Sequence, residues 1–151
     1  MHLTTSPTSA KQQGSVLLEG LIAILIFSMG ILALVGLQAA AIKNSSDAKY
    51  RADASYLANQ IIGQMWADRQ NLGSYAHYPG AGAACQPTGA ASANANVASW
   101  LTDVGSALPG ATASSQQIAI GANNLVTVTV CWKAPQDNTQ HNFTTTAQIQ
   151  G

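Results

Sequence analysis

Residues 14–37 read GSVLLEGLIAILIFSMGILALVGL, and one carboxylate, Glu19, stands in an otherwise apolar run. From Val16 to Leu37 there is no other charge. As a helix that run extends roughly 33 Å, enough to cross a bilayer core of about 30 Å. An ionised side chain inside such a segment costs about 2.5–3.5 kcal/mol at mid-membrane, so it calls for a partner or a task. Three readings fit the run. It is a secretory signal cut after LQAAA, where Ala39 and Ala41 supply small residues; a one-pass anchor; or a leader and helix in which Gly14, Ser15 and Glu19 act together. The first sits poorly with an apolar stretch longer than the usual 7–15-residue signal core.

Outward from the run, the chain of 151 residues allows one modest domain. Lys and Arg balance Asp and Glu at six each, so no polybasic surface points to nucleic acid as a direct partner. Charged residues make up 8%, against about 25% in ordinary soluble domains. Ala, Ser, Thr, Asn, Gln and Gly fill the difference, a composition suited to an exported protein or one packed against neighbours. The cysteines are Cys85 and Cys131. Outside the cytoplasm they are expected to form a disulfide across about 46 residues; inside it they are two unrelated thiols.

Ahead of the run, residues 1–14 are short and polar, with Pro7 against helix, and read as a disordered leader. Behind it, residues 38–70 contain no Pro and only Gly63, so helix is expected to continue to about Gln70. Ala54, Leu57, Ala58, Ile61, Ile62 and Met65 keep the spacing of one buried face. Asp53, Asn59, Gln60 and Arg69 lie opposite. One helix is thus membrane-like at one end and amphipathic at the other.

Residues 71–96 turn to Gly, Ala, Ser, Asn and Pro and read as a long connecting loop around Cys85, with Tyr75, His77 and Tyr78 at a surface turn or a partner contact. Val97, Trp100, Leu101, Val104 and Leu108 predict a short helix stopped by Leu108-Pro109-Gly110. The period then becomes two. In LVTVTVCW, Val126, Val128, Val130 and Trp132 share one face, with Leu125, Thr127, Thr129 and Cys131 on the other. QQIAI before it, with Ile118 and Ile120, and NFTTTAQI after it, with Phe143, Ala147 and Ile149, predict flanking strands. GANN predicts a hairpin between the first two. The apolar face of such a sheet is what the helical stripe needs as cover.

Gly14, Ser15 and Glu19 at the head of the long run resemble the class III leader and N-terminal helix of type IV pilins and type II secretion pseudopilins. The order Trp100, Leu108-Pro109-Gly110, then VTVTVCW resembles the PilV group of minor pilins. The resemblance implies an α+β, pilin-like fold: a long N-terminal helix, membrane-spanning in its first half, packed on a small antiparallel β-sheet head. It divides the chain into a leader (1–14), a transmembrane and polymerisation helix (15–37), its amphipathic continuation (38–70) and a periplasmic head (71–151).

It also implies a prepilin peptidase that cuts after Gly14 and methylates the amine of Ser15. Glu19, at the fifth mature position, then pairs with that amine on an adjacent subunit and sets the register of assembly. The implied partners are other minor pilins and the major pilin through the helix, the inner membrane, and a tip adhesin. Two positions depart from the pattern: Ser15 stands where Phe is usual, and Gly36 where major pilins often carry Pro. The implied function is a minor pilin that waits in the inner membrane, primes pilus assembly and is incorporated at or near the tip. A minor pseudopilin of type II secretion and a soluble or anchored periplasmic binding protein are the alternatives.

One count runs the other way. Lys11 precedes the apolar run while Lys43, Lys49 and Arg51 follow it, opposite to the positive-inside rule. A sizeable downstream domain can be translocated despite its charges, and the leader pattern is given more weight. His2, His77 and His141, with Asp47, Asp53, Asp68, Asp103 and Asp137, form no metal-ligand spacing and no acid–base pair in sequence. No catalytic residue, metal or cofactor is expected, and the chain is read as processed by an enzyme rather than being one.

Overall fold

A single helix, α1 (Gln13–Ala67), carries both the apolar run and the amphipathic stripe. The computed structural model describes residues 13–150; most of the expected leader, residues 1–12, lies outside the described residues. The chain forms two units that meet inside α1, Met1–Asn44 and Ser45–Gly151. In the first, the described residues are helix alone. Its large apolar side chains, from Val16 to Ile42, are 46% to 73% exposed. This part of α1 is long and apolar enough to cross a membrane.

The second unit is built around the stripe. Ala54, Leu57, Ala58, Ile61, Ile62 and Met65 are all buried, as the helical period predicts. Against them pack a second helix, α2 (Ala95–Ala107), and a three-stranded antiparallel sheet of β3 (Gln117–Ile120), β4 (Leu125–Trp132) and β5 (His141–Gln148) in that order. The α+β, pilin-like layout expected from the sequence is present.

Helix α2 starts where Asn94 Oδ1 accepts from the backbone N–H of Asn96 at 2.8 Å, filling one of the free donors of the first turn. It stops at Leu108, ahead of Pro109, which disfavours helix at the residue before it. Val97, Trp100 and Val104 are buried, and Trp100 Nε1–H donates to the carbonyl of Leu57 at 2.9 Å, tying α2 to the middle of the stripe.

In the sheet, Ile118 opposes Val128 and Ile120 opposes Val126 across β3–β4; Phe143 opposes Val130 and Ala147 opposes Val126 across β4–β5. The inward residues of β4 are buried, whereas Phe143 and Ala147 are only half-buried against the core. The β3–β4 turn uses Asn123 (φ 57°) and Asn124 (φ 55°), and Asn tolerates this left-handed region better than most residues. Ile149 closes the sheet's end, its N–H donating to Asn124 O at 3.1 Å.

Three expectations need correction. Helix α1 ends at Ala67, not near Gln70, and a 3₁₀ segment (Arg69–Tyr75) follows. The cause is Asp68: its carboxylate accepts from Asn71 Nδ2 at 2.7 Å and from Tyr75 OH at 3.2 Å, which rewards a tighter turn. Residues 71–96 are not simply a loop, because they contain a small antiparallel hairpin, β1 (Gly80–Ala83) and β2 (Gln86–Thr88). Tyr75 and His77 are neither a surface turn nor a partner contact; both are buried in the second unit.

Trp100→Phe keeps most of the ring and removes the donor to Leu57, and is expected to lower stability by about 1–2 kcal/mol. Trp100→Ala opens a cavity and is expected to cost about 3–5 kcal/mol. Urea unfolding of the detergent-solubilised chain followed by circular dichroism measures both; equal stability of Trp100→Ala and the parent contradicts this packing.

Candidate functional site

The residues singled out at the head of the chain lie on α1 in the first unit. Gly14 is helical, and among the described residues a Cβ there meets nothing within 4 Å, so neither its backbone conformation nor their packing requires glycine. Ser15, Leu18, Glu19, Ile22, Ala23 and Ile26 share one face of the helix. Glu19 is exposed, and among the described residues no cation pairs with its carboxylate. The face thus offers a carboxylate one turn from Ser15, in an exposed apolar strip.

The disulfide expectation is met: Cys85 and Cys131 are bonded, with Cα atoms 5.7 Å apart. Cys131 lies on the threonine face of β4, yet is fully buried, because the β1–β2 hairpin folds over that face. Cys85 itself occupies the hairpin turn with φ 62°. The hairpin strands approach so closely that a Cβ on Gly82 would run into the carbonyl oxygen of Gln86. That hairpin has little apolar area of its own, and the disulfide fastens it to the sheet.

Two buried polar side chains complete the fastening. Gln116 is fully buried, and its amide pairs with the backbone of Cys131 in both directions: Oε1 accepts from Cys131 N–H at 2.8 Å, and Nε2 donates to Cys131 O at 3.0 Å. The chain turns away from the sheet ahead of β3, and this side chain takes the place of the missing strand residue. His77 Nε2 lies 2.9 Å from Ala113 O, while Nδ1 accepts from the Ser92 N–H at 3.1 Å. Those partners select the neutral tautomer with the proton on Nε2. His77 also exchanges both backbone bonds with Ile118, at 3.0 and 2.9 Å, and so pairs with the outer edge of β3 at that residue.

His141 lies at the start of β5, with Nε2 2.6 Å from Asp137 Oδ2 and its ring stacked on Trp132 at 5.8 Å between centroids. An open groove of about 560 Å³ runs between α1 and α2, lined by Lys49, Asp53, Tyr56, Gln60, Asp103 and Ser106 among others. Among the described residues no group of three or more His, Cys, Asp or Glu is placed to hold a metal ion. The roles of Gln116 and His77 escaped the sequence reading. A lone His beside two tyrosines in a Gly- and Ala-rich segment was the available signal for one; a Gln before a strand gave none for the other.

Comparison with family models, with curated proteins and with solved structures finds no match to this chain.

Removing the crosslink by Cys85→Ser with Cys131→Ser is expected to lower stability by about 4 kcal/mol in the chain-entropy account of a loop this long. The loss should centre on the hairpin. Hydrogen exchange should quicken first across residues 78–90, while α1 beyond Ser45 keeps its protection; uniform loosening of the second unit contradicts the local role.

Proposed function

We propose that this chain is a minor subunit of a type IV pilus, held in the inner membrane by α1 and then incorporated, through the same helix, at or near the fibre tip. The observation that carries the reading is the face shared by Ser15 and Glu19: a carboxylate, with no cation beside it among the described residues, one turn into an exposed apolar helix. In hydrocarbon such a group is costly alone and cheaper when paired. Cleavage after Gly14 creates a cation at the Ser15 amine. Supplied by an adjacent subunit, that cation satisfies Glu19 and fixes the axial register of helix packing. A prepilin peptidase is the enzyme this requires, and a glycine that no packing among the described residues requires suits a recognition role in cleavage.

The second unit suits a head placed outside the cytoplasm, where the Cys85–Cys131 bond persists. In this reading the head selects neighbours among other minor pilins, the major pilin and a tip adhesin, with no direct role for nucleic acid. A minor pseudopilin of type II secretion follows from the same helix, and the machine encoded beside this chain distinguishes the two.

Glu19→Ala tests the pairing. The variant should be processed and membrane-inserted as the parent is, yet fall at least about tenfold in the sheared fibre fraction, the cost of one unpaired charge in a helix bundle. Immunoblots of membrane and fibre fractions read both quantities. Unchanged incorporation rejects the pairing role.

A further inference from the structure

The helical period that buries Ala54, Leu57, Ala58 and Ile61 sets Lys49, Asp53, Tyr56 and Gln60 along the flank of the stripe. Asp103 and Ser106 of α2 stand across from them. The open groove between has about 560 Å³, within the usual range of about 300–1,000 Å³ for a small-ligand site. Leu57 gives it an apolar floor, and the Leu57 carbonyl accepts the Trp100 N–H at 2.9 Å, so the two walls are fixed to each other.

Three observations separate this groove from ordinary solvated surface. Tyr56 is 69% exposed, more than any other large apolar side chain of the second unit among the described residues. The charged groups of Lys49, Asp53 and Asp103 meet no partner among the described residues, in a chain with only six acids and six Lys and Arg. Gln60 Oε1 is buried in the wall, and no donor among the described residues reaches it. A buried carbonyl without a donor is unfavourable, and turning this carboxamide toward an incoming O–H gives up no hydrogen bond of that oxygen.

The lining restricts the ligand. An anion meets Asp53 and Asp103, and a cation meets Lys49, one turn from Asp53. An apolar ligand takes water from all three charges and returns nothing. A neutral ligand with several hydroxyls avoids these penalties, because each hydroxyl donates once and accepts twice. It donates to Asp53, Asp103 and Gln60 Oε1 and accepts from Lys49, in bonds that the charges strengthen. The Tyr56 ring presents a negative face, which suits a surface of polarised C–H groups. A sugar ring carries both features, hydroxyls around its rim and C–H groups on its face.

We propose that the groove between α1 and α2 binds a neutral sugar ring, stacked on Tyr56 and hydrogen-bonded through its hydroxyls to Asp53, Asp103, Gln60 and Lys49. The groove is open, so the ring is a free saccharide or the end of a longer glycan. This site rests on the second unit alone and requires neither membrane insertion nor a pilus.

The test applies the full chain to an array of immobilised neutral and sialylated glycans, displayed densely so that avidity raises a weak signal. A phosphocholine detergent holds the chain in solution and brings no competing sugar. Neutral glycans that share one terminal sugar should bind. Tyr56→Ala and Asp103→Ala should each cut the signal about tenfold or more while the melting temperature holds, because both side chains are exposed. Tyr56→Phe keeps the ring and should keep most of the signal. Gln60→Met should weaken binding yet hold or raise the melting temperature, since the carbonyl it removes has no donor; a purely structural Gln60 would lower it. Inhibition by the free methyl glycoside assigns the ligand to a single ring, inhibition only by the longer glycan assigns it to a chain end, and either supports the site. No glycan signal, a signal confined to sialylated glycans, or neutral binding indifferent to Tyr56→Ala overturns the proposal.

Discussion

The second unit depends on one burial: the stripe from Ala54 to Met65 on α1, covered by Trp100, Val126, Val128 and Val130. Each large apolar side chain removed from water there contributes on the order of 1.5–3 kcal/mol. The stripe explains the order of the remaining elements. A sheet with one apolar face is what a helix with one apolar stripe can bury, and α2 covers the flank that three strands leave open. The Trp100 N–H to Leu57 O bond gives this packing a register that apolar contact alone does not specify.

The opposite face of the sheet is held by a different kind of force. Threonines and a small Gly-rich hairpin have little area to bury, so directional and covalent links take over. The disulfide fixes Cys85 to β4, Gln116 completes the backbone pairing of Cys131, and His77 pairs with β3 at Ile118. All three act on the inter-element connections rather than on the core.

Periodicity made the core legible in advance. The six stripe residues of α1, the alternation of β4 and the burial of Val97, Trp100 and Val104 in α2 follow from spacing, because burying one face imposes that spacing. What spacing did not reveal was held by single contacts. The end of α1 at Ala67 turns on the Asp68 carboxylate, in a stretch with no Gly or Pro to announce a stop. The β1–β2 hairpin lies in residues whose composition reads as loop, since its strands are fixed by the disulfide and close glycine approach rather than by an apolar pattern. His77 appeared as a polar loop residue because its three anchoring partners, Ser92, Ala113 and Ile118, are distant in sequence.

Ahead of Ser45 the same helix exposes its large apolar side chains over a stretch long and apolar enough to cross a membrane. The account turns on whether the chain is cut at the head of that helix, so that a new amine stands one turn from Glu19. Intact mass and N-terminal sequencing of the protein purified from its native host decide this most directly. The account predicts a chain that begins at Ser15 with a methylated amine. A chain beginning near Ile42, or one that retains Met1, contradicts it.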